Sequence, residues 1–88
     1  MAMRFKLSNH ALEEMARRGI PRETLERVLN APEQIVPERE GTNAYQSQID
    51  FGRGRMYLLR AIVNDTLEPA VVITVYRTRN VQKYWRNT

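Results

Sequence analysis

The sequence predicts an α+β domain in which two short N-terminal helices pack on one face of an antiparallel sheet of three to five strands. Three observations predict it. Apolar residues between positions 9 and 30 recur at helical spacing, in two blocks separated by Gly19 and Pro21. After position 33, apolar and polar residues alternate with period two or gather in short β-branched runs. Brief turn signals rich in Gly, Asn and Asp part those runs, so consecutive strands should return beside one another as an antiparallel meander. At 88 residues the chain is one domain, spanning 1–88 and near the lower end of what a single core supports.

Each element has its own local reason. Arg4 to Leu7 is a short strand, and Ser8 is placed as a helix N-cap. The first helix runs from about Asn9 to Arg18, with Ala11, Leu12, Met15 and Ala16 as its apolar stripe. Gly19 stops it where a left-handed residue is needed, and Pro21 suits the first turn of the next helix. The second helix buries Ile20, Leu25, Val28 and Leu29, and Asn30-Ala31-Pro32 ends it. Glu23 and Glu26 lie early in it and Arg27 late, as the helix dipole favours. Gln34 to Val36 is a short strand closed by Pro37, and Glu38 to Thr42 a polar turn. Ala44 to Phe51 alternates, with Tyr45, Ile49 and Phe51 on one parity and Gln46, Gln48 and Asp50 on the other. Gly52-Arg53-Gly54 connects to a strand from Arg55 to Val63, and Asn64-Asp65-Thr66 turns the chain again. Pro69 to Arg77 is nearly continuous in β-branched residues and reads as a central strand buried on both faces. Arg79 to Trp85 is a last short strand or a tail. With the helices on one face, the other face of the sheet is left partly open.

Composition narrows the function classes. There is no cysteine, hence no disulfide framework or thiolate metal site. Met1 to Lys6 carry charge with no apolar stretch behind them, so no signal peptide is expected. The longest apolar run, Ala70 to Val75, is too short to cross a bilayer, and a cytoplasmic, membrane-free protein is the expectation. Fourteen basic residues oppose ten acidic ones, and twelve of the fourteen are arginine. Arginine is suited to bidentate phosphate and carboxylate pairing and to stacking on flat rings. Up to Ala44 the charges balance at seven and seven, and from Tyr45 onward there are seven basic and three acidic. The net +4 therefore belongs to the strand-rich half, which points to a polyanion, either nucleic acid or an acidic protein.

Two sets of residues could carry chemistry. On a helical wheel, Glu14 and Arg17 fall within about 40 degrees of His10, the only histidine, on the face away from the apolar stripe. A histidine beside a carboxylate and a guanidinium can transfer a proton and hold a phosphate, or all three can be a solvated face. The second set is on the sheet. Arg60 interrupts an apolar strand, which requires solvent, a ligand, or a carboxylate such as Asp50. Thr74 and Tyr76 share a face, with Arg77 and Arg79 following, a combination suited to bases and phosphates and equally ordinary in strands. Tyr84-Trp85-Arg86 can stack on bases or close the core. One histidine and no clustered carboxylates argue against zinc, and Gly52-Arg53-Gly54 is too short for a phosphate loop.

The stretch Phe5-Lys6-Leu7-Ser8-Asn9-His10-Ala11, followed by Met15-Ala16-Arg17-Arg18-Gly19-Ile20, resembles a small prokaryotic domain-of-unknown-function family with an S-x-H-A and R-x-I or R-G-I pattern. Such families resemble RelE/ParE-like toxins. The resemblance implies a RelE-like helix–helix–sheet domain that cleaves RNA without metal or other cofactor, the ribose 2′-hydroxyl attacking the adjacent phosphate. It implies His10 as acid or base, Arg17 or Arg18 with Arg60 on the phosphate, and Thr74 and Tyr76 as positioning groups. Arg18, Arg55, Arg77 and Arg79 would bind the nucleic acid. The leading reading is therefore a toxin of a type II toxin–antitoxin pair, with RNA as substrate and an antitoxin as partner. A non-catalytic RNA- or protein-binding module is the alternative, and a homodimer through an exposed strand edge is a third reading.

Overall fold

The structure is a computed structural model and describes residues 4–87. The reading of the first residues as no signal peptide rests partly on Met1 to Met3, which lie outside the described residues. The order is β1 (Phe5–Leu7), α1 (Asn9–Arg18), α2 (Arg22–Asn30), β2 (Gln34–Pro37), β3 (Asn43–Asp50), β4 (Met56–Asn64), β5 (Ala70–Thr78) and a single-turn α3 (Val81–Tyr84), with a 3-10 turn at Arg39–Gly41.

The five strands lie in the order β1-β5-β4-β3-β2. β2 to β5 form the expected antiparallel meander. The sheet as a whole is mixed, because β1 runs parallel to β5, with Phe5 opposite Ala70 and Leu7 opposite Val72. The α1–α2 pair makes this possible. It crosses one face, with α1 against β5 and α2 against β3 and β4, and returns the chain at the far edge to start β2. The strand that precedes the helices thus lands beside the last one, a pairing between the two ends of the chain that turn signals do not encode.

The core lies between the helices and this face. Ala11, Met15, Leu25, Val28 and Leu29 meet Tyr45, Leu59, Ala61, Val63, Val72 and Val75, all buried. Strand alternation places Ala44, Gln46, Leu58 and Arg60 on the opposite face.

β5 departs from the sequence expectation in a way that matters. It is not buried on both faces: Val72 and Val75 are buried, while Ile73 is 39% exposed. The register explains it. Ile62 faces Thr74 and the next residue, Val63, faces Val72, so Ile73 is the extra residue of a β-bulge. The bulge reverses parity beyond it. Val72 and Val75 both face the helices, and Thr74 and Tyr76 move to the other face, opposite Ile62 and Arg60.

One hydroxyl ties this bulge to α1. Ser8 Oγ accepts the Ala11 N–H at 3.0 Å as the helix N-cap and donates to the Ile73 carbonyl at 2.8 Å. Ser8→Ala loses both bonds at once. It is expected to lower unfolding free energy by about 1–2 kcal/mol, above an average cap, as read from urea denaturation. At the other end of α1, Gly19 is left-handed at φ 64°, and its N–H and that of Ile20 close on Ala16 and Met15.

The segment from Arg79 to Trp85, expected as a last short strand or a tail, is a tail that contains one helical turn, Val81–Tyr84. The Thr78 hydroxyl accepts the Asn80 N–H at 3.0 Å, and Trp85 N–H reaches the Val81 carbonyl at 2.8 Å. The turn folds the tail back over the sheet face that the long helices leave open, so the domain has three helices where two were expected.

Candidate functional site

On that face, one row of side chains crosses four strands. Gln34 of β2 pairs in register with Gln46 of β3, Gln46 with Arg60 of β4, and Arg60 with Tyr76 of β5. Residues in register on one face have their side chains adjacent, and here the contacts are hydrogen bonds. Gln46 Nε2 donates to Gln34 Oε1 at 2.8 Å, and Arg60 Nε donates to Gln46 Oε1 at 2.7 Å. Arg60 Nη1 donates to the Tyr76 hydroxyl. Arg60 Nη2 reaches out of the row to Glu38 Oε2 at 3.0 Å, in the polar turn after β2.

Arg60 is only 2% exposed. A buried guanidinium is tolerable only when its donors are paired, and three nitrogens of this one are. Aromatic rings complete its surroundings. Its guanidinium carbon lies 4.3 Å from the centre of the Tyr84 ring and 5.7 Å from that of Tyr76. Tyr84 meets Tyr76 edge to face, the ring centres 6.1 Å apart. The row also holds the tail in place. Gln46 Nε2 donates to the Tyr84 carbonyl at 3.2 Å, and the Gln34 amide exchanges two bonds with the Arg86 backbone, at 2.7 and 3.1 Å.

Between the tail and the turn after β2 lies an open, polar cleft of about 430 Å³, lined by Glu38, Arg60, Lys83, Tyr84, Trp85 and Arg86 among others. Glu38 is its single carboxylate, against three cations. The Glu38 side chain is a third exposed and so reaches both Arg60 and the cleft. Burial pushes the Tyr76 phenol above its ordinary pKa, against the lowering effect of Arg60, so it stays protonated at neutral pH.

The candidate residues read from the sequence separate into three places. Arg60 and Tyr76 are joined in the row, and Thr74 shares their face, half-buried, two positions along β5. His10 is exposed on α1, the helix packed on the opposite face, and no hydrogen bond or ion pair links it to Arg60 or Tyr76 among the described residues. Arg17 and Arg18 both bind Glu14 of their own helix, at 2.8 and 3.2 Å. Arg55, Arg77 and Arg79 gather near the β3–β4 hairpin. The carboxylate on Arg60 is Glu38 rather than Asp50. Asp50 pairs with Met56, four positions from Arg60 along β4, and accepts the Gly52 N–H at 2.7 Å. Glu38 and Gln34 carried no signal in the sequence, since a turn glutamate and a strand glutamine are unremarkable types there, whereas Tyr84 was read as a residue that stacks on bases or closes the core, and it packs on Arg60 and Tyr76.

The Arg17 guanidinium, helped by Arg18, holds the Glu14 carboxyl below its ordinary pKa, and burial opposes the shift. A lowered folded pKa means stability that is complete above the unfolded value and lost as pH falls through the folded one. Thermal melts should therefore show Glu14→Gln losing less stability than the native chain between pH 6 and roughly pH 3, the range that spans an ordinary glutamate pKa of about 4.3.

Among the described residues no helix is long and apolar enough to cross a membrane, and no group of three or more His, Cys, Asp or Glu is placed to hold a metal ion. The family described as Domain of unknown function (DUF4258) matches residues 7–77. The chain belongs to the DUF4258 family. No curated protein and no solved structure matches it. The DUF4258 match takes in Glu38, Gln46, Arg60 and Tyr76, while Tyr84 and the tail that roofs the row lie beyond it.

Proposed function

We propose that this chain is a metal-independent endoribonuclease, acting as the toxin of a type II toxin–antitoxin pair, and that RNA is cut in the cleft over Arg60. The observation that carries the reading is the placement of one part-exposed carboxylate, Glu38, on a buried arginine in a cleft whose other charged residues, Arg60, Lys83 and Arg86, are all cations. The resemblance read from the N-terminal stretch, to a domain-of-unknown-function family that in turn resembles RelE/ParE-like toxins, supports the same reaction class.

The chemistry needs a base, a charge stabiliser and an acid. Glu38 takes the proton from a ribose 2′-hydroxyl, whose oxygen forms a bond to the adjacent phosphorus. Arg60, Lys83 and Arg86 offset the charge gathering on the phosphoryl oxygens. The bond from phosphorus to the 5′-oxygen breaks, and that oxygen takes a proton from Tyr84, the phenol that lines the cleft. The products are a 2′,3′-cyclic phosphate and a 5′-hydroxyl. Gln46 and Tyr76 act through Arg60 and fix its orientation. His10 has no part in this scheme. An antitoxin would neutralise the chain by laying an acidic segment over the cleft.

The test is single-stranded RNA incubated with the protein in buffer containing EDTA, with product ends analysed for cyclic phosphate. Cleavage is expected, with slowed growth when the chain is expressed alone. Intact RNA and normal growth together would end the enzyme reading.

A second reading has its own support. No buried side-chain nitrogen or oxygen among the described residues lacks a partner, so the row is complete without a ligand. A complete network suits a non-catalytic module that binds RNA or protein on a rigid face. Such a module would bind RNA and leave it uncut, and Glu38→Gln would not weaken its binding.

A further inference from the structure

The other arginines of the strand-rich half form a separate group. Tyr57 and Arg77 share the parity of Leu59 and Val75, on the helix-side face, where Leu59 and Val75 are buried. Tyr57, Arg77 and Phe51 are only half-buried, because they lie at the hairpin end of the sheet. Phe51 and Tyr57 meet edge to face, the ring centres 5.4 Å apart. The Arg77 guanidinium lies over both, 4.3 Å from Phe51 and 4.7 Å from Tyr57, and that of Arg79 is 6.0 Å from Tyr57. Beside them is a shallow depression of about 240 Å³ lined by Phe51, Gly52, Arg53 and Arg55.

Charge distinguishes this group from an ordinary hairpin. The ion pairs among the described residues use Arg17, Arg18, Arg22 and Arg60, so Arg53, Arg55, Arg77 and Arg79 have no carboxylate partner. Asp50, the one acid on the hairpin, is engaged by the Gly52 N–H. Packing explains Arg77, which covers two rings. It does not explain Arg53 and Arg55, both exposed. Four like charges around two half-exposed rings repel one another until a polyanion arrives.

We propose that the hairpin end of the helix-side face is a second nucleic-acid site, which takes single-stranded RNA by stacking a base against the Phe51–Tyr57–Arg77 layer and seating phosphates on Arg53, Arg55 and Arg79. The proposal rests on the reading that RNA is the ligand of this chain, and it places a contact outside the cleft. Flat rings and guanidinium planes suit bases, which every nucleotide offers. An acidic peptide would want charge alone, and the rings would be idle.

The experiment measures binding of a fluorescent 2′-O-methyl decauridylate, which cannot be cut by 2′-oxygen attack, to the full chain across a salt series. The variant R53Q/R55Q/R79Q removes three exposed charges and should leave the melting temperature unchanged. Its affinity is expected to fall by roughly tenfold or more, and its salt slope to shrink by about 2, from about 0.7 per single-strand phosphate. Tyr57→Leu keeps an apolar side chain and should weaken binding by about tenfold with the slope unchanged. Native affinity and slope in the triple variant would overturn the proposal, as would native affinity in Tyr57→Leu. Displacement of the probe by decaglutamate as readily as by unlabelled RNA would also overturn it, in favour of an acidic protein partner. If the probe binds through this surface while ordinary RNA stays intact, the cleavage reading falls and this one stands. If RNA is cut and the triple variant binds natively, this one falls alone.

Discussion

Replacing Arg60 with alanine is expected to cost about 3–5 kcal/mol of folding stability, the range for removing one partner from a buried charged network. The loss has several sources. Gln46 is fully buried, and its Oε1 would lose its charged donor at 2.7 Å. The Tyr76 hydroxyl and Glu38 would lose theirs, and the Tyr84 ring would face a void in place of a guanidinium. For a domain of this size each kcal/mol moves the melting temperature by about 4–8 °C, so a fall of about 12–40 °C should be seen by circular dichroism. Arg60→Met separates the causes. It refills most of the volume and donates nothing, so it should recover the packing part of the loss and leave the hydrogen-bonding part. A melting temperature within a few degrees of native for the alanine variant would mean that the row is not a structural unit.

Glu38→Gln is expected to slow RNA cleavage by about 10²- to 10⁴-fold, the usual contribution of a positioned general base. It should do so with little change in fold. The glutamine carbonyl oxygen can still accept from Arg60 Nη2, and the side chain is already a third exposed. Single-turnover rates on a short RNA in EDTA would measure it. The matching comparison is His10→Ala, which should cleave at the native rate, because His10 stands on α1 across the sheet from the cleft. Loss of cleavage in His10→Ala with full activity in Glu38→Gln would move the chemistry to the other face.

Much of the site was half legible. Arg60 stands out in any reading, since a charge inside an apolar strand demands a partner. Tyr76 was visible as a polar residue on an exposed parity. Their meeting was not, because it depends on the bulge at Ile73. Without that extra residue, Tyr76 would share the face of Val72 and point toward the helices. Glu38 was invisible for a related reason. Nothing in Glu38 to Thr42 distinguishes a loop carboxylate in water from one bound to a guanidinium. His10, by contrast, was conspicuous as the only histidine, a rarity of composition that does not fix location.

The sequence by itself determined the local elements. Ser8, Gly19, Pro21 and Pro32 bound two helices, period-two alternation marks the strands, and the arginine excess is assigned to the strand-rich half. These follow from backbone preferences and side-chain periodicity, which act over a few residues. The tertiary structure alone decided that β1 lies parallel to β5, that the tail closes over the open face as α3, and that Gln34, Gln46, Arg60 and Tyr76 form one row. The partners of Arg60 are 14, 16 and 22 residues away in the chain. Contacts at that separation are set by strand register, and one bulged residue is enough to change the face on which a side chain arrives.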